Sequence, residues 1–388
     1  MCRARSRGRT FRGRVDADPE RIVNRRLRAF LRRRGASHAE IAQAEREGRL
    51  ALLAFDRTLM PGRQRYRLDD VRRKAGVERE NAQRLWRALG FPDPPADARR
   101  FTDEDIEALK ALRDVFNAEG IVGHHALTAG RSVEGLVQQV RVVGAALARI
   151  AEVQSDAMLD AFKDARDSGM SDEQVAELVP DSLNWERISQ LLDYAMRIQL
   201  RAALWRKYAG SQPGEVGEQL LTVGFVDLVG YTALSQGLEE EELAALVSRF
   251  EGIAYDTVAE HGARVVKMIG DEVMFVSEDT AAAARIALQL SERSTVDEVL
   301  PEARAGLACG PVVSHEGDYY GPVVNLASRM VELARPGSVL TSEEVHDALG
   351  ADASFGFQRL RSRKIRDIGR VEVWLLESVH EQDQEAAL

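Results

Sequence analysis

The chain has 388 residues, 45% of them hydrophobic and 30% charged, with a net charge of −9. Such a composition excludes collagen-like, low-complexity and disulfide-scaffold proteins, and the length calls for two domains of ordinary size. No apolar run approaches the ~18 residues of a membrane span. Two distant cysteines, Cys2 and Cys309, suggest neither a disulfide framework nor a zinc site, so the expected localisation is cytoplasmic.

Charge is spread unevenly. Residues 1–34 carry 13 arginines against three acids. They lack the apolar stretch of a signal peptide, and residues 1–17 read as a disordered basic leader. From 18 to 181 the pattern is helical. Pro19–Arg34 has Ile22, Val23, Leu27, Phe30 and Leu31 at spacings near 3.6, and His38–Phe55 continues with Ile41, Leu50, Leu52 and Leu53. Between Arg67 and Leu109, LDDVRRKAG, VERENAQRLWRALGF and PDPPADARRFTDEDIEAL look like the helix-turn-helix and wing of MerR-type regulators. Ten Arg and Lys against six Asp and Glu between Arg65 and Arg100 suit phosphates moderately. Leu85 and Trp86 instead suggest a helix used for packing, and nucleic acid is not the expected partner. Ser132–Met158 is a long periodic run without proline. A last helix spans Ser182–Tyr208, and GSQPGEVG, Gly210–Gly217, marks a linker, so 182–217 reads as a connecting helix and linker.

After the linker, in residues 218–380, the period changes; 381–388 reads as a tail. Leu220–Val226 is a short apolar run of strand length. Glu239–His261 is an amphipathic helix. Arg264–Ile269 and Glu272–Val276 flank Gly270-Asp271, a hairpin signal. Asp279–Glu292 is an Ala-rich helix, Arg304–Ala308 and Val312–His315 are two further strands, Gly321–Leu333 is a helix and Val371–Glu377 a closing strand. The order β-α-β-β-α-β, with additions, predicts a ferredoxin-like layout, and the whole chain an α+β protein with an all-α N-terminal domain.

Three stretches place polar groups where a plain core would not take them. In GFVDLVGYT, Gly224–Thr232, a strand ends on Asp227 and turns through Gly230. A carboxylate there can bind a hard cation, and turn amides can hold phosphate oxygens, although an acid at a strand end is commonly structural. In VVKMIGDEVMF, Val265–Phe275, Asp271 sits at the hairpin tip and Lys267 lies four residues before it. Two carboxylates plus substrate phosphates suit Mg²⁺. In GDYYGPVVNLASRM, Gly317–Met330, Asn325 and Arg329 are four apart and share a helix face, and Asp318 precedes that helix. Arginine suits charge developing on phosphoryl oxygens.

Together these stretches resemble the class III nucleotidyl cyclases, over about Leu220–Ser378. The resemblance implies that Asp227 and Asp271, with the backbone carbonyl of Leu228, bind two divalent cations, Mg²⁺ or Mn²⁺. It makes Lys267 and Asp318 the readers of adenine, where guanylyl cyclases carry Glu and a small residue. Asn325 and Arg329 match the residues that hold ribose and stabilise the transition state. Because the family's site lies between two subunits, a chain with all six implies a homodimer with two sites. The implied function is adenylyl cyclase: ATP to 3′,5′-cyclic AMP and pyrophosphate. The chemistry agrees. Asp318 can accept from the exocyclic amine of adenine and would repel the carbonyl of guanine. A Lys that grips the outer phosphates near the last strand is matched by Arg366, with Lys364 as the alternate; the family's Lys-Gly pair reads Arg366-Asp367 here, a departure.

The arrangement as a whole is similar to the mycobacterial two-domain adenylyl cyclases. This implies that 18–181 is a pH-sensing, autoinhibitory regulatory domain and that 182–217 transmits its state. His38 and the pair His124-His125 are candidate switches. A lipid or other small molecule enclosed by the helices is the alternative regulator. Two rival functions stay open: a catalytically silent nucleotide-binding dimer, and a DNA-binding regulator acting through 67–109.

Overall fold

A computed structural model of the chain describes residues 19–117, 133–209, 219–366 and 368–379. The leader, His124-His125, the Gly210–Gly217 linker, Asp367 and the tail lie outside the described residues. Two compact units follow one another, residues 1–200 and 201–388. Among the described residues, no helix is long and apolar enough to cross a membrane.

The first unit is helical: α1 (Pro19–Arg33), α2 (His38–Glu47), α3 (Leu50–Leu59), α4 (Leu68–Ala75), α5 (Arg79–Ala88), α6 (Asp103–Asn117), α7 (Val133–Asp167), α8 (Asp172–Ser182) and the start of α9 (Trp185–Ala209). The single helical segment expected over His38–Phe55 is two helices. Gly48 takes a left-handed conformation (φ 63°) and donates its N–H to the Ala44 and Glu45 carbonyls, closing α2 before α3 begins. Ser37 and Glu40 form the capping box that opens α2. Leu27, Leu31, Ile41, Leu50, Ala54, Val175 and Val179 make one core from α1, α2, α3 and α8. The long helix predicted over Ser132–Met158 runs on to Asp167. The helix predicted over Ser182–Tyr208 starts later, at Trp185, because α8 ends at Ser182 and Asn184 accepts the Arg187 N–H in the break.

Segment 67–109 has the predicted helix-turn-helix outline. Gly76 (φ 71°) caps α4, and a bridge joins Tyr66 to Phe101 before α6. Its arginines are largely paired within the unit: Arg73 with Asp70, Arg79 with Asp69, Arg87 with Asp93, Arg65 with Asp103. Trp86 packs on Phe91 and Phe101, while Leu85 and Ala88 pack with Val137 of α7.

The second unit contains β1 (Gln219–Leu228), α10 (Tyr231–Ser235), α11 (Glu240–Glu260), β2 (Arg264–Ile269), β3 (Glu272–Ser277), α12 (Thr280–Val296), β4 (Ala303–His315), β5 (Asp318–Tyr320) and α13 (Pro322–Leu333). Then come β6 (Val339–Thr341), α14 (Glu343–Leu349), β7 (Phe355–Arg359), β8 (Arg363–Ile365), β9 (Gly369–Val371) and β10 (Trp374–Ser378). The sheet runs β2-β3-β1-β4-β6-β10-β7, with β5 folded onto the end of β4 and β8-β9 a separate ribbon. The first four strands have the predicted ferredoxin-like order, and the fold is α+β. Two expectations need correction. The predicted strands Arg304–Ala308 and Val312–His315 are one strand, β4, which continues through Gly310-Pro311 by pairing Leu221 with Gly310 and Leu220 with Pro311. The predicted closing strand Val371–Glu377 is divided between β9 and β10.

Period two sorts the side chains. Val226 and Leu228 face α11 and α12, whereas Val223 and Phe225 face α13. Helix α13 lies close to the sheet because β4 carries Gly306: a Cβ there would stand 2.5 Å from the Ala327 carbonyl oxygen and 2.6 Å from the Val331 amide nitrogen. Both neighbours are helix backbone, so Gly306→Ala should push α13 outward at a cost of about 1–3 kcal/mol. Calorimetry should show a thermal midpoint several degrees lower; an unchanged midpoint would contradict so close a packing.

Candidate active site

Asp227 continues the face of Val223 and Phe225, so it emerges at the end of the α13-covered side of the sheet. Its register partners are Glu272 on β3 and Arg304 on β4. Arg304 clamps one oxygen of Asp227, donating from Nε at 2.9 Å and Nη2 at 2.7 Å to Oδ2. It also donates from Nη1 to the Glu332 carbonyl in the last turn of α13, at 3.5 Å. Asp271, at the β2–β3 tip, accepts the Leu228 N–H on its backbone oxygen at 3.2 Å, and its carboxyl is near enough to that of Asp227 for the two negative charges to repel. The two carboxylates singled out in the sequence are therefore adjacent.

Three acids now share one arginine. Burial pushes the Asp271 carboxyl above its ordinary range, and the neighbouring Asp227 adds to the shift. Burial, then Asp227 and Asp271, drive Glu272 up to about 7. Excess negative charge at a strand end and hairpin tip suits hard divalent cations. Glu272 and Arg304 were not singled out in the sequence. The lone Arg in the small-residue run ARAGLACG was the available signal, but the strand register that sets it opposite Asp227 is not readable from one chain.

The second pair also meets. Lys267 Nζ on β2 donates to Asp318 Oδ2 on β5 at 2.5 Å. The other oxygen, Oδ1, accepts the Tyr319 N–H at 2.8 Å. Asn325 and Arg329 lie on the exposed face of α13, opposite the buried Val323, Ala327, Met330 and Val331. Arg329 donates to Glu332 Oε1 at 2.5 Å. Among the described residues, neither Asn325 nor Arg329 bonds to Asp227 or Asp271. Arg366 is exposed at the turn after β8, and Lys364 is exposed on β8. His38, the described member of the predicted histidine switches, is an exposed residue at the start of α2.

Comparison with known proteins gives a concordant result. Residues 217–378 match the family described as adenylate and guanylate cyclase catalytic domain. The chain is 36% identical over 350 residues to an adenylate cyclase of Streptomyces coelicolor, covering 84% of this chain and 89% of that protein. It is 34% identical over 341 residues to an adenylate cyclase of Glutamicibacter nicotianae, covering 83% and 81%. It is 32% identical over 303 residues to a pH-sensitive adenylate cyclase of Mycobacterium tuberculosis, covering 74% and 71%.

The acidic cluster makes a stability prediction. A carboxyl whose folded pKa is raised holds its proton more tightly when folded. Its contribution is complete below the ordinary ~4.3 and is lost as pH rises through about 7. In chelator, Glu272→Gln should therefore melt above the wild type at pH 8, with the gap shrinking toward pH 5. A gap independent of pH would refute the assignment of that shift to Glu272.

Proposed function

The chain belongs to the class III adenylate and guanylate cyclases, on the adenylate cyclase side of that family, and we propose that it converts ATP to 3′,5′-cyclic AMP and pyrophosphate at sites shared by two copies of itself. The observation that carries this reading is the Lys267–Asp318 contact at 2.5 Å. It sets one donor and one acceptor side by side, the pattern that the adenine edge answers with a ring nitrogen and an exocyclic amine. Guanine would turn a carbonyl toward Asp318.

The remaining residues take roles by charge and exposure. Asp227 and Asp271, with the Leu228 carbonyl, form a donor set that fits Mg²⁺ or Mn²⁺, because two adjacent carboxylates leave room for phosphate oxygens. Two bound cations would neutralise the triphosphate and lower the pKa of the ribose 3′-hydroxyl. Arg304 keeps Asp227 fixed in orientation through a single oxygen. Arg329 stabilises charge on the α-phosphoryl oxygens during in-line attack of the 3′-oxygen, and Asn325 orients the ribose. Both stand exposed on α13 and are free to meet the carboxylates of a second copy. The exposed Arg329–Glu332 pair is worth at most about 1 kcal/mol and yields readily to a phosphate. Arg366, or Lys364, would reach the outer phosphates.

We further infer that the helical N-terminal unit regulates this activity. Support comes from the resemblance to a pH-sensitive cyclase, and from α9, where Leu191, Tyr194, Met196, Leu204 and Trp205 are exposed in the single chain. Symmetry would bring two such helices together. A lipid or other small ligand is the alternative regulator.

Purified protein with Mn²⁺ should form cyclic AMP from ATP and little cyclic GMP from GTP. Asp227→Ala should abolish turnover, Arg329→Ala should cost ~10²–10³ in kcat, and Asp318→Ala should mainly loosen base choice. Mixing the Asp227→Ala and Arg329→Ala chains should restore up to about a quarter of wild-type activity, since half of randomly paired dimers keep one of two sites intact. No cyclic product from either nucleotide would end the cyclase reading, and failure to complement would end the shared site. The pH–rate profile of the full chain should change when residues 1–205 are removed; an unchanged profile would defeat pH control by the helical unit.

A further inference from the structure

Strand β2 carries a bulge that bears on base recognition. Its register against β3 runs Arg264↔Val276, Val265↔Phe275 and then Lys267↔Met274, which leaves Val266 as the extra residue. In a regular strand, residues three apart point to opposite faces. A one-residue bulge restores them to the same face. Arg264 and Lys267 thus both lie on the side of Val276 and Met274, the side covered by α13.

Both side chains reach the same short strand. Lys267 bonds Asp318, and Arg264 Nη2 donates to the Tyr319 hydroxyl oxygen at 2.6 Å. The Arg264 guanidinium also lies 5.2 Å from the centre of the Tyr319 ring. Strand β5 is three residues long and follows a turn in which Glu316 (φ 55°) and Gly317 (φ 84°) are both left-handed. It pairs with the far end of β4, through Val313↔Tyr320, Ser314↔Tyr319 and His315↔Asp318. So short an element drifts unless it is tied down. Tyr319 is 9% exposed and packs in the core under α13, and its own N–H holds Asp318 Oδ1.

We propose that Arg264 and Tyr319 are positioning residues for base selection, a bond that fixes β5 against the bulged strand so that Asp318 and Lys267 stand at the separation a purine edge requires. This rests on the adenylyl cyclase reading above. Without nucleotide, the Lys267–Asp318 bond itself links β2 to β5. With adenine bound, Lys267 donates to the ring and Asp318 accepts from the amine. Arg264–Tyr319 is then the side-chain tie between the two strands. A misplacement of ~1 Å at such a pair can cost ~100-fold.

The test uses the full chain with Tyr319→Phe, Arg264→Met and the double variant. Kinetics with ATP and GTP are combined with equilibrium binding of 3′-deoxy-ATP and 3′-deoxy-GTP, which lack the attacking hydroxyl. Each single change should lower the ATP-over-GTP ratio of kcat/KM by ~5–20-fold, chiefly through KM for ATP. Binding of 3′-deoxy-ATP should weaken by the same factor, and the double variant should be no worse than either single one. Tyr319→Phe keeps the buried ring, and an unchanged thermal midpoint would separate positioning from unfolding; if its midpoint falls, the Arg264→Met ratio decides. Equal losses for both bases, an unchanged ratio, or additive effects in the double variant would overturn the proposal. Should the wild type bind the 3′-deoxy nucleotides but form no cyclic product, the cyclase reading falls while the binding ratios still decide the positioning role. Binding of neither overturns both.

Discussion

The site depends on one row across the sheet, Glu272, Asp227 and Arg304, set side by side by two antiparallel registers. Asp271 enters the same group from the adjacent hairpin tip. Among the described residues, three carboxylates there face one guanidinium, which leaves a surplus of negative charge. Burial first, and then that imbalance, raises Asp271 and Glu272, which costs stability as the acids ionise. Arg304 reduces the cost without filling the site, because it occupies a single oxygen of Asp227.

The same sheet face carries α13, with Asn325 and Arg329 on its outer side. Gly306 lets α13 pack against the strand that supplies Arg304, and the helix turns Val323, Ala327 and Met330 inward. Asn325 and Arg329 must then point away from the sheet that bears Asp227. Among the described residues, one chain thus keeps its acidic cluster apart from Asn325 and Arg329. On the proposed reading, two chains related by a two-fold axis would bring each group to the other's complement. On that reading the chain that supplies Arg329 also supplies Lys267 and Asp318, so base choice and transition-state charge would fall to one subunit and cation binding to its partner.

Much of this was legible because the chemistry forces unusual residues into apolar contexts. Asp227 closing an apolar strand, Lys267 inside one, and Asn325 with Arg329 at helical spacing all stand out against period and composition. Asp227 with Asp271, and Lys267 with Asp318, are brought together in the structure. What escaped depends on register. Glu272 reads as a hairpin acid and Arg304 as a stray cation until the pairing of β3 and β4 with β1 is known. The bulge at Val266 is equally hidden, since an apolar residue fits either face. Gly310-Pro311 reads as a breaker in the middle of β4. Yet within β4 only Ala305–Leu307 pair with β6, and past that stretch one side of β4 is less constrained, where proline is tolerated. Gly48 misled in the opposite sense: the apolar spacing on either side of it reads through, but its left-handed cap ends the helix.

The N-terminal unit shows why a count of basic residues is a poor guide to a partner. Segment 67–109 has the outline of a nucleic-acid reader and an excess of arginine. Phosphate binding, however, draws on charge that the fold has not already used. Here Asp69, Asp70, Asp93 and Asp103 each hold an arginine of the same segment. The pull of those arginines holds Asp69 down at about 2 and Asp93 and Asp103 below the ordinary carboxylate range. The C-terminal end of α5 is committed as well, since Gly144 of α7 lies so near the cap residue Leu89 that a Cβ would stand 2.8 Å from its Cα. Such a module is suited to holding helices in a fixed arrangement against α7. Its charges serve internal pairing, whereas in the catalytic half the acids around Asp227 outnumber the arginine that faces them.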